Sequence, residues 1–116
     1  MSLAIRKSDA FVADLEAQFR WYEGQAGWEI AWRYLLEVNE ALEKLAAHPE
    51  LGWLRNFDHP ELRNLRCWPV ALPFHKHLIF YRHDQNSLDA IRAMHGARDL
   101  ARRLAQPPGV AGDQTD

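Results

Sequence analysis

The feature that most constrains this chain is a change of hydrophobic period partway along it. Between residues 9 and 48 apolar side chains recur every three or four positions, the spacing of helices with one buried face. Between residues 76 and 83 the side chains fall into two interleaved sets, His77, Ile79, Tyr81 and His83 against Lys76, Leu78, Phe80 and Arg82, the period-two spacing of a strand. A chain that holds both periods in separate halves must pack helices against a sheet. With 116 residues there is room for one such domain and one modest core.

The helical half opens with a short strand, Leu3 to Lys7, followed by Ser8 and Asp9 as N-cap candidates. Phe11, Val12, Leu15, Phe19 and Tyr22 form the apolar face of a first helix, expected to end near Gly24. A second helix begins near Gly27 or Trp28. Its stripe is Trp28, Trp32, Leu35, Val38, Leu42 and Leu45, with Glu29, Arg33, Glu37, Glu40 and Lys44 between them. Pro49 ends it at His48, because the residue before a proline avoids helical geometry. The short link from Gly24 to Gly27 makes the pair an antiparallel hairpin. The tryptophans are expected to pack that hairpin on the sheet.

Leu51 to Pro60 reads as a connector. Leu62 to Trp68 is a strand bounded by Pro69 and Pro73. His77, Ile79, Tyr81 and His83 alternate with Lys76, Leu78, Phe80 and Arg82, then turn through Asp84–Ser87 into a third strand, Leu88 to His95. Gly96 breaks that strand. Ala97 to Leu104 suits a short helix with Leu100 and Leu104 on one face, and residues 106–116 form a tail expected to be disordered. The expected fold is α+β, a helical hairpin packed on an antiparallel sheet in the order β-α-α-β-β-β-α. Leu35, Leu42, Ile79 and Phe80 are expected in the core between the two layers.

Several functional classes drop out on composition. The net charge is −2, whereas proteins that grip nucleic acid through its phosphates usually carry a basic excess, which leaves only a local basic patch for that role. No apolar run is long enough to span a membrane, and the N-terminus lacks the apolar core of a secretory signal, so the expected location is the cytoplasm. The single cysteine, Cys67, cannot form an internal disulfide and reads as a buried structural thiol. His75 and His77 stand two apart on one strand, but no cysteine or nearby carboxylate completes a ligand set. Neither a metal nor another cofactor is expected.

Two segments carry a family resemblance. His77-Leu78-Ile79-Phe80-Tyr81-Arg82 resembles the central strand of RelE/ParE toxins, and Ile91 to Leu100, with its His95-Gly96-Ala97-Arg98-Asp99 turn, resembles their closing strand. The element order agrees, so the resemblance spans residues 3–105 as one toxin domain. It implies the toxin of a type II toxin–antitoxin system, of the ParE-like plasmid-stabilisation kind, neutralised by a cognate antitoxin. ParE-like members are associated with inhibition of DNA gyrase. RelE-like members cut messenger RNA on the ribosome.

Metal-free RNA cleavage needs a base for the 2′-hydroxyl, a cation for the charged phosphorane and an acid for the leaving oxygen. The resemblance implies a C-terminal tyrosine among these groups, and Leu104 stands about where it would be. Arg98 is kept, and His77 replaces an arginine. A ribonuclease would therefore rely on His77, His95 and Arg98, with His83 also on the hairpin. Without the tyrosine, a toxin that binds its target is the expected class. His77, Arg82, Arg92, Arg98, Arg102 and Arg103 are then the candidate contacts to target or antitoxin. A third possibility is a relative that keeps the fold and antitoxin binding but has lost toxicity. Asp99 also suits a helix cap, and Arg98 could equally pair with a carboxylate or strand carbonyl.

Overall fold

The computed structural model describes residues 2–55, 63–96 and Leu104. Its elements are β1 (Ala4–Lys7), α1 (Asp9–Ala26), α2 (Trp28–Ala47), β2 (Trp53–Arg55), β3 (Leu65–Pro69), β4 (His77–His83) and β5 (Ser87–His95). The five strands form one sheet in the order β1-β5-β4-β3-β2, antiparallel except for the β1–β5 pair. The helical hairpin lies on one face. The fold is the α+β class expected from the two periods.

Ser8 starts α1 by accepting a hydrogen bond from the Phe11 amide at 3.0 Å. Its hydroxyl also donates to the Ile91 carbonyl at 2.9 Å, so the cap ties the helix to β5. α1 runs through Gly24 and ends at Gly27, whose φ of 95° is open to glycine at little cost. One residue thus separates the two helices. The Gly24 stop was misplaced because Gly27 alone has the positive φ that ends a helix here.

The sheet carries two cores because successive strand residues face opposite ways. Toward the helices, Phe11, Tyr34, Val38, Leu42, Leu45, Ile79, Tyr81 and Leu88 bury together. On the other face, Leu65, Cys67, Phe80 and Leu104 form a second cluster, with Leu78, Ile91 and Met94 packed against it. Phe80 is buried as expected, but in the second cluster and not under the hairpin. Cys67 is buried there as expected.

Two further expectations change. Trp28 and Trp32 are 61% and 51% exposed. The face that α2 buries is Ala31, Tyr34, Val38, Ala41, Leu42, Leu45 and Ala46. At about 100° per residue Trp32 sits more than a quarter turn from its centre, while Trp28 shares the angle of Ala46 but stands five turns before it, at the helix's first residue. β2 lies inside the segment read as a connector. All three of its residues are exposed, so it shows no alternation to read. The expected helix 97–104, apart from Leu104, and the expected tail 106–116 lie outside the described residues.

Candidate functional site

The end of the sheet where β4 begins gathers titratable side chains. His77 and His95 are cross-strand partners, with ring centroids 4.8 Å apart in an edge-on arrangement. Tyr22 of α1 reaches down so that its hydroxyl is 2.7 Å from His77 Nε2. Tyr34 and Phe74 complete the enclosure, at 4.8 and 6.3 Å from the His77 ring. His77 is only 2% exposed. Burial, assisted by the neighbouring His95, pushes its pKa down to about 3. Burial also raises Tyr22 above the ordinary phenol value and Tyr34 still further, beyond the usual range. At neutral pH His77, Tyr22 and Tyr34 are therefore uncharged. Tyr22–His77 is a hydrogen bond between neutral groups.

Arg92 sits on β5, pointing into the molecule. Its Nε–H and Nη2–H donate to the two Asp14 oxygens at 2.7 and 3.0 Å, while Nη1–H donates to the Leu104 carbonyl at 2.8 Å. The Ala93 amide adds a bond to Asp14 at 3.1 Å. Both charges are buried, so the pair binds α1, β5 and the chain at Leu104 together. Asp14 was missed from sequence. The signal was present, because Phe11, Asp14 and Gln18 fall at i, i+3 and i+7 on one buried face. A carboxylate on such a face must find a cation or lose its charge.

Arg82 is half-buried and donates from Nε and Nη2 to the Arg63 carbonyl at 3.1 and 2.9 Å. His83 is half-buried and His95 buried. His75 is exposed where His77 is enclosed, so the two do not face a common ion. No group of three potential metal ligands exists among the described residues. Arg98, Arg102 and Arg103 lie outside the described residues. Thus the structure brings His77 and His95 together in an interior cluster, and holds Arg92 and Arg82 in contacts within the chain. As a base or phosphate-binding cation, His77 is compromised by its depressed basicity and its enclosure. Arg92 has its guanidinium spent on Asp14.

Tyr81 was also missed as a positioning residue. Its hydroxyl accepts from the Gly52 amide at 2.9 Å and donates to the Pro49 carbonyl at 2.7 Å, fixing the passage from α2 to β2. Beside its charged side chains, the surface of the described residues exposes several large apolar ones: Trp28, Trp32 and Leu36 on α2, and Trp53 and Leu54 on the edge strand β2. Such surfaces suit protein partners better than phosphates. No helix among the described residues is long and apolar enough to cross a membrane.

A family model described as the ParE toxin of the type II toxin–antitoxin system, parDE, matches residues 5–100. Among solved structures, the chain is similar to one described as the chromosomal ParDE TA system from P. aeruginosa. The TM-score is 0.64 and the identity 18%, covering 83% of this chain and 98% of that one. At that identity the likeness is one of fold. No curated protein matches the chain.

Proposed function

The chain belongs to the ParE toxin family of type II toxin–antitoxin systems, and from that premise we propose that it restrains growth by binding a macromolecular target such as DNA gyrase, and that a cognate antitoxin neutralises it. The observation that carries a binding role over RNA cleavage is the state of His77. The histidine that would serve as base or cation is neutral, enclosed and bonded to Tyr22. β2 is the last strand of the sheet among the described residues, and its exposed Trp53 and Leu54 offer the antitoxin apolar side chains.

Induction without antitoxin should slow growth, leave messenger RNA uncut on ribosomes in primer extension, and inhibit gyrase in a supercoiling assay. Ribosome-dependent cuts with normal supercoiling would overturn this reading in favour of a ribonuclease that acts on ribosome and messenger RNA. Antitoxin binding with neither effect would mark a relative that has lost its toxicity.

A further inference from the structure

Between α2 and the end of β3 lies a cleft of about 310 Å³, lined in part by Glu37, Glu40, Lys44 and Trp68. Trp68 is half-buried against the main core, and Trp53 lies beside it with ring centroids 5.6 Å apart and a tilt of 32°. The Lys44 ammonium sits 5.5 Å from the centre of the Trp68 ring, within the range of a cation–π contact. Glu40 stands one helical turn before Lys44, in the order that favours an ion pair, yet the two form none. Glu37 is half-buried and Glu40 exposed, and neither carboxylate has an ion-pair partner among the described residues. Arg33, one turn before Glu37 on the same helix, does not line the cleft.

Two carboxylates and one ammonium line this cleft, so it is one cation short of neutrality, and its own lysine shows that the indole accepts a positive charge. We propose that the cleft receives an arginine side chain from a protein partner, the guanidinium lying on the Trp68 indole and its N–H groups donating to the Glu37 carboxylate. A guanidinium suits the place better than a second ammonium. It is planar and weakly hydrated, so it can stack on the ring and fork onto a carboxylate at once. Lys44 is exposed on a flexible stem and gives way by turning to Glu40, its neighbour at i−4. Each carboxylate then holds one cation. A peptide fits better than a small free cation, because Trp53 and Leu72 beside the cleft are 58% and 70% exposed and offer apolar surface to the chain that carries the arginine. The inference is independent of the toxin's target, since any arginine-bearing segment serves as a probe.

Titration of the isotope-labelled full chain with a capped Gly-Arg-Gly peptide tests this, read by NMR at the Trp68 indole N–H, which Trp68→Phe identifies among the five tryptophans. The shift should saturate with a dissociation constant of about 1 mM, the scale of a single anchoring side chain. The matching lysine peptide should bind about fivefold more weakly. The citrulline peptide, of the same shape but uncharged, should not bind. Glu37→Gln should weaken arginine binding about tenfold. Glu43→Gln, on the same helix but outside the cleft, should leave it unchanged. Lys44→Met removes the internal competitor and should tighten binding by about threefold or more. Far-ultraviolet circular dichroism confirms the fold of each variant. Four results would each overturn the proposal: no saturable shift up to about 20 mM peptide, an equal response to citrulline, equal losses from Glu37→Gln and Glu43→Gln, or a Lys44→Met chain that binds no more tightly than the parent.

Discussion

His77 gives the clearest residue-level consequence. Its folded pKa, about 3, lies below the ordinary histidine value of 6.5 because burial and His95 oppose its charge. Between those values the unfolded chain binds the extra proton, so stability rises with pH there. The contribution is complete above pH 6.5 and is lost as pH falls toward 3, at about 1.4 kcal/mol per pH unit. Urea denaturation should therefore show about 2 kcal/mol lost from this group between pH 6.5 and pH 5. His77→Phe should remove that part of the slope, and an unchanged slope would mean that the imidazole is solvated. Asp14 gives a second test. Asp14→Ala leaves the Arg92 charge buried without its carboxylate, at an expected cost of about 3–5 kcal/mol in the same assay. Replacing both partners with apolar residues should recover much of it. Neither role was visible in the sequence as a role. His77 and Asp14 could be read as buried by spacing, but their partners lie 55 and 78 residues away.

At the scale of elements, the long periodic segments were legible and the short or rotated ones were not. β4 and β5 could be placed within a residue because two apolar-rich runs flank the polar Asp84–Asn86 turn and Gly96 closes the second. β2 has three exposed residues, and only its pairing with β3 makes it a strand. α2 was found with its ends nearly right but its upper face wrongly turned, since large apolar residues outweighed Ala31 and Ala46, whose small size lets the helix approach its neighbours. Two truncations on the same helix separate the faces. Leu42→Ala removes a fully buried side chain and should cost about 2–5 kcal/mol. Trp32→Ala should cost less, about 1–2 kcal/mol, because half of the side chain is already in water. Equal thermal shifts for the two variants would show that the stripe is packed within the chain. At the α2–β2 junction, a Cβ on Gly52 would stand 2.5 Å from the Tyr81 hydroxyl, so Gly52→Ala should destabilise by displacing that ring from its two backbone partners. Near-ultraviolet circular dichroism would report the tyrosine's movement.

The whole molecule joins a near-neutral charge to a surface that carries several exposed large apolar side chains among its charged ones. The family and the two-layer fold were legible because they rest on element order and on two contiguous segments around His77 and His95. The disposition of the candidate residues was not, because it depends on which strand face meets the helices and on what each guanidinium finds in the interior. These properties together predict how the chain should treat nucleic acid. A protein that neutralises many phosphates loses roughly 10³–10⁵ in affinity between low and physiological salt, because condensed counterions are released. Here the net charge is −2, Arg92 is consumed by Asp14, and His77 is neutral above about pH 3. Titration with a labelled single-stranded RNA near physiological salt should accordingly show no saturable binding below about 10 µM. Association with a cognate antitoxin should persist with little change as salt is raised, since apolar contacts on Trp53 and Leu54 are not screened. The opposite pattern, tight RNA binding that collapses with salt, would require a basic surface formed by Arg98, Arg102 and Arg103. Alanine substitution of those three together would then abolish the RNA affinity while leaving the thermal melt in place, and the ribonuclease reading would have to replace the binding one.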